Sequence, residues 1–146
     1  MNIAANVGDL TEMKRLKAKY DHIYVKRDST KIYKNWGPRT FGCAAHSGNL
    51  ELMKWMYQEG CEWDVDTMTR AAFTGNLDNM KWLREYNCPW NKTTFTMATK
   101  CGNIDNMKWL HENGCPWSFK TFTTAIKIGN VDNIAWLIDA GCPYRP

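Results

Sequence analysis

The chain has little that would let it cross a membrane or run a reaction. Its longest apolar run is five residues, at 134–138, against the roughly 20 that a spanning helix needs. The start, MNIAANVGDLTEMKR, lacks a charged opening followed by an apolar stretch, so no secretory signal is expected and the protein should stay inside a cell. Histidine is scarce: His22, His46 and His111 show no His-Glu-x-x-His spacing, and no Gly-rich phosphate loop is present. Carboxylates fall where caps and first helical turns want them, as at Asp64 and Asp66, and not as an acid/base pair. These absences predict a chain that is not an enzyme and takes no metal and no cofactor. Neither sign of charge dominates, with 19 basic and 15 acidic residues in 146.

What is abundant is tryptophan, and its spacing is regular. Trp36, Trp63, Trp90 and Trp117 form one series and Trp55, Trp82, Trp109 and Trp136 a second, each with a step of 27 residues. The same step joins Thr40/Thr67/Thr94/Thr121, Ala44/Ala71/Ala98/Ala125, Gly48/Gly75/Gly102/Gly129, Asn49/Asn76/Asn103/Asn130 and Cys61/Cys88/Cys115/Cys142. The chain therefore reads as one repeat domain over 1–146, with copies at 36–62, 63–89, 90–116 and 117–143 and Tyr144 at the position of a further Trp. A degenerate first copy at 1–35 shows in Ala4-Ala5, Gly8-Asp9-Leu10, Met13-Lys14 and Leu16, offset by 40 from the next, and carries a basic insertion at 17–35.

Each copy predicts two short helices. Phe41, Ala44 and Ala45 fall on one face, as do Leu50, Met53, Trp55 and Met56. Gly37, Asp64, Asn91 and Ser118 stand where helix A is capped, Gly48 and its counterparts end it, and Asn49 and its counterparts cap helix B. Gly60, Asn87, Gly114 and Gly141 end helix B, and the four or five residues left over, of the form Gly-Cys-Pro-Trp, leave no space for a strand. A leucine-rich repeat shares this period but needs alternating Leu-x-Leu, whereas Leu50-x-Leu52 becomes Leu77-x-Asn79 and Ile104-x-Asn106.

The pattern Thr-Phe-x-x-Ala-Ala-x-x-Gly-Asn-Leu-Glu-x-Met-Lys-Trp-x-x-x-x-Gly resembles the ankyrin repeat over nearly the whole chain. The short form with Cys-Pro-Trp at the joint is similar to arrays of giant DNA viruses of amoebae and their hosts. It is shorter than the ordinary unit of about 33 residues by the segment that forms the β-hairpin finger. The resemblance implies an all-α, ankyrin-like solenoid of about five helix-turn-helix repeats, a protein-binding role, and, for a viral source, the host cytoplasm.

The periodic cysteines read as small buried residues at the joints, because equivalent positions in stacked helices lie roughly 8–10 Å apart and a disulfide needs Cα atoms within about 7 Å. All six should be free thiols. The tryptophan and methionine columns read as packing, not as a stacking surface for bases. The insertion is different: six basic residues against Asp21 and Asp28 account for the chain's whole net charge of +4. Its segments 22–26 and 31–34 alternate apolar and polar residues around a turn-prone 27–30 and predict a β-hairpin, with Lys26, Arg27 and Lys31 as candidate contacts. The alternative functions are a nucleic-acid-associated protein using this hairpin and a self-assembling structural subunit.

Positions that vary between copies are the other candidates. His46, Phe73, Lys100 and Lys127 form a column before the glycine that ends helix A, which the resemblance places on the concave binding face; Arg39, Asp66 and Lys120 belong to a second column with Thr93. Arg70 and Phe73, one turn apart, form the best anchor pair, since arginine and aromatics dominate hot spots. The expected function is therefore binding of a protein partner through helix A. The two ends differ as well: Lys14, Arg15, Lys17 and Lys19 predict a sealed, polar outer face on the first pair, while Ile134, Trp136, Leu137 and Ile138 leave the last repeat apolar and open to homodimer formation.

Overall fold

The computed structural model of the chain describes residues 2–24 and 36–145, and the described residues are all-helical, with no strand. The elements are α1 (Asn2–Asn6), α2 (Leu10–Tyr24), α3 (Pro38–Ser47), α4 (Leu50–Gln58), α5 (Val65–Thr74), α6 (Leu77–Glu85), α7 (Lys92–Cys101), α8 (Ile104–Glu112), α9 (Phe119–Ile128) and α10 (Val131–Asp139). From α3 onward the odd-numbered and the even-numbered helices each recur every 27 residues, as the lattice requires. None of the described helices is long and apolar enough to cross a membrane.

Each boundary has a local cause. The odd-numbered helices end at Gly48, Gly75, Gly102 and Gly129, all left-handed with φ from 77 to 84°, a conformation that costs a residue with a Cβ. Asp64 and Asn91 accept from the first-turn amides of α5 and α7. The threonine column completes these caps from the other side: Thr67, Thr94 and Thr121 accept at Oγ1 from the N-cap amides of Asp64, Asn91 and Ser118 at 3.3–3.5 Å. Those threonines are buried, and Thr69 with Thr94 and Thr96 with Thr121 pair their hydroxyls across neighbouring helices.

The odd-numbered helices stack in one row, α1 on α3, α3 on α5, α5 on α7 and α7 on α9. The row is close because the facing residues are small: Ala44, Ala45, Ala71, Ala72, Ala98 and Ala125 are buried. The even-numbered helices contribute Met53, Met80, Met107, Met56, Leu83, Leu110 and Leu137, all fully buried, so a continuous core runs along the array between the two rows.

Three expectations change against the structure. The insertion does not begin as a strand, since α2 runs through His22, Ile23 and Tyr24. The even-numbered helices stop at a left-handed Gly60, Asn87, Gly114 or Gly141, but the matching position of the first copy holds Tyr20, so nothing ends the helix there. The rest of the expected hairpin, 25–35, with Lys26, Arg27 and Lys31, lies outside the described residues. The first pair is not sealed by polar groups throughout, because Ile3 of α1 and Val7 in the turn after it are strongly exposed. Of the tryptophans, only Trp36 is buried; the other seven are half-buried and lie against the core. Within each repeat the two indoles meet at a steep angle, Trp36 with Trp55 at 5.4 Å, Trp63 with Trp82 at 5.8 Å, Trp90 with Trp109 at 5.9 Å and Trp117 with Trp136 at 6.3 Å between ring centroids. They close the joint, one face toward the core and one edge toward water.

One buried column is polar without return. Asn133 donates from Nδ2 to the Gly102 carbonyl at 3.0 Å, whereas the side-chain amides of its counterparts Asn79 and Asn106 are fully buried and find no partner in the protein. The fourth member of the column is a buried leucine, Leu52, so the site accepts an apolar side chain of that size. Asn79→Leu is expected to raise the unfolding free energy by about 1 kcal/mol, while Asn133→Leu, which gives up its bond, lowers it. Urea unfolding of the two variants checks this, and destabilisation by both would refute it.

The joint cysteines are free, and each Sγ reaches back to the carbonyl of the N-cap residue of its own repeat's odd-numbered helix: Cys61 to Gly37 at 3.9 Å, Cys88 to Asp64 at 3.6 Å, Cys115 to Asn91 at 3.7 Å and Cys142 to Ser118 at 3.9 Å. Burial pushes the thiols of Cys61, Cys88 and Cys115 from an ordinary 9.0 up to about 12 and that of Cys142 to about 11. Above pH 9 the unfolded chain therefore loses thiol protons that the folded chain keeps. This contribution to stability is intact below about pH 9 and is lost as the pH climbs toward the folded values. In Cys88→Ala with Cys115→Ala, the fall in melting temperature between about pH 8 and pH 10.5 is expected to be shallower than in the native chain; an identical fall would remove the thiols as its cause.

Candidate protein-binding surface

The invariant columns are used up by caps, joints and core, which leaves the varied positions to face solvent. On α3, α5 and α7 the residues before the terminal glycine come together in a ladder. His46 and Phe73 stack at 5.9 Å with 9° between their planes, and the Lys100 Nζ sits 5.6 Å from the Phe73 ring centroid. All three are exposed, with Phe73 at 39%, and Lys127 continues the column on α9. The helix stack produces this register, because successive odd-numbered helices are neighbours in space and equivalent in sequence.

The expected anchor pair divides between two structures. Arg70 turns to Asp66, donating from Nε to Oδ2 at 2.7 Å, and its stem lies over Gly42 of α3, where an added Cβ would stand 2.9 Å from the Arg70 Cδ. Phe73 joins His46 and Lys100 instead. The arginine is thus fixed in place as a half-buried guanidinium with part of its donor set already used. Arg39, Asp66, Thr93 and Lys120 stand exposed near the starts of their helices, and between α7 and α9 a groove of about 430 Å³ is lined by Lys92, Thr93, Thr96, Met97 and Lys120 among others.

At the last repeat the apolar expectation holds for Ile138, which is exposed, whereas Leu137 is fully buried and Ile134 and Trp136 pack against the core. Ile126 is 54% exposed, whereas its counterparts Ala45, Ala72 and Thr99 are buried under the following helix. Ile128, Val131, Ile138 and Tyr144 are also exposed, and Tyr144 reaches the Phe122 ring at 6.1 Å, in the manner of Trp63 on Phe41 and Trp117 on Phe95 at 5.2 Å.

One column escaped the sequence reading. Positions 57, 84 and 111, one step of the lattice apart, place a flat group over the tryptophan of the following joint: Tyr57 stacks on Trp63 at 4.8 Å, the Arg84 guanidinium lies 4.1 Å above Trp90, and His111 stacks on Trp117 at 4.4 Å. Residue identity conceals the relation, since a phenol, a guanidinium and an imidazole share only planarity. Their constant offset of six residues from the next Trp was the available signal.

No family model matches the chain, and no curated protein matches it.

Proposed function

We propose that the chain is a non-catalytic scaffold of ankyrin-like type that binds a protein partner across the exposed faces of α3, α5, α7 and α9. The observation that carries this reading is the ladder of His46, Phe73 and Lys100: three helices that share the buried threonine and alanine columns and the terminal glycine present different chemistry at one register point. A row of aromatic and cationic groups on a rigid backing fits the composition of interface hot spots, and the backing lowers the ordering cost of binding. Repeat pattern and helix pairing support the ankyrin resemblance, and with it a place inside a cell, in the host cytoplasm for a viral protein.

The test compares affinity capture from amoebal lysate by the native chain, by Phe73→Ala with Lys100→Ala, and by a chain lacking 18–34, with proteins identified by mass spectrometry. A partner lost from the ladder variant and kept by the deletion supports the reading, and its affinity for the ladder variant is expected to fall by roughly 30-fold, the size of one hot spot. The variant's melting temperature should stay close to native, since both side chains are on the surface. Capture that depends on 18–34 and disappears with nuclease would move the function to nucleic acid.

The exposed Ile126, Val131 and Ile138 favour a second reading, self-association through the outer face of α9 and α10. Sedimentation at micromolar concentration is expected to show a dimer for the native chain and a monomer for Ile138→Lys; a monomer in both cases removes this reading.

A further inference from the structure

The joint between the first two full repeats differs from the others at three positions that meet in space. In the second joint the chain lays its own cation, Arg84, on the indole of Trp90. In the first joint the same place belongs to Tyr57, a neutral ring. Glu62 stands where Pro89, Pro116 and Pro143 stand in the other three, and Tyr86 takes the position held elsewhere by Glu59, Asn113 and Ala140. The two tyrosines meet at 5.0 Å with 65° between their planes, and both contact Trp82, Tyr57 at 5.8 Å and Tyr86 at 5.1 Å. Despite this packing Tyr57 is 40% and Tyr86 41% exposed. Beside them lies a shallow depression of about 440 Å³ lined by Tyr57, Gly60, Cys61, Glu62 and Trp63, of which Glu62 alone bears a charge.

We propose that this joint, Tyr57, Glu62, Trp63 and Tyr86, is a second binding site, for the guanidinium of an arginine side chain on a partner protein. Ring faces attract a cation through their negative quadrupole, and Glu62 supplies the opposite charge at the edge of the same depression. The guanidinium is the cation that fits, because it is planar, weakly hydrated, stacks on rings and meets a carboxylate with two parallel donors. One lattice step away Arg84 covers Trp90, a guanidinium lying on a ring; at this joint Tyr57 already covers Trp63, so the ring surface offered to a guest is that of the exposed tyrosines. The site lies at a joint and not on the odd-numbered helices, so it stands apart from the ladder of Phe73.

The experiment titrates the full chain with a tetra-arginine peptide and follows the indole N–H resonances by ¹⁵N NMR, using as control the same peptide with neutral citrulline for arginine. The expected result is a saturable shift at Trp63 and Trp82 with arginine and none with citrulline. Tyr57→Arg with Glu62→Pro gives the first joint the residues of the second; it should bind at least roughly tenfold more weakly. Glu62→Gln, which keeps every ring in place, should weaken binding by about threefold or more. Absence of the Trp63 and Trp82 shifts, equal shifts with citrulline, or native affinity in both variants would overturn the proposal.

Discussion

An asparagine amide ties neighbouring copies of the array, Asn49 and Asn76 at the first two contacts and Asn133, inside its helix, at the last. Asn49 accepts at Oδ1 from the Leu52 amide and so starts α4, while its Nδ2 donates to the carbonyl of Gly8 in the preceding copy at 2.8 Å. Asn76 does both again, accepting from Asn79 and donating to the Gly48 carbonyl at 3.3 Å. The acceptor carbonyl is available because the glycine turns left-handed as its helix ends, which directs the chain into the next helix. In the first three copies, helix termination, helix initiation and contact between repeats thus meet at one glycine and one asparagine. A repeat of 27 residues has no sheet to hold its neighbours, and this bond, with the paired threonine hydroxyls, supplies directional contacts that alanine packing lacks.

Much of this was legible because it is written in identity. The Gly-Asn step, the cysteine column and the Ala44 column mark positions where one geometry admits one residue type in every full repeat, and the helices fall where those columns place them. What was not legible depends on neighbours. Trp55 and Trp82 have apolar spacing, yet they end half-buried because each closes a joint that water reaches from the other side. The extension of α2 to Tyr24 turns on a missing signal, a left-handed residue at position 20, and alternation of apolar and polar residues around 22–26 outweighed that absence in a reading by pattern. Asn79 and Asn106 look like surface residues and lie fully inside.

The candidate surface was legible only in outline. Variation between copies indicates that His46, Phe73, Lys100 and Lys127 are free of the core, and the stack then places them in one row. Which neighbours they take could not follow from variation. Arg70 has an acidic residue four positions earlier and goes to it, because an i to i+4 pair on a helix is already within reach. Phe73 has no such partner on its own helix and turns to the rings and charges of α3 and α7.

The joints carry the same logic one level further. A tryptophan with one face on the core still presents a face to water, and leaving that face bare costs apolar exposure of a large side chain. Any flat group six residues earlier reduces that exposure, whether it is a phenol, a guanidinium or an imidazole. Stability therefore fixes the shape at this position and leaves its charge free, and charge is the property that the proposed partner would read. An array built this way can alter what it presents at successive joints without disturbing the Gly-Asn register beneath, provided each replacement remains flat enough to cover the indole.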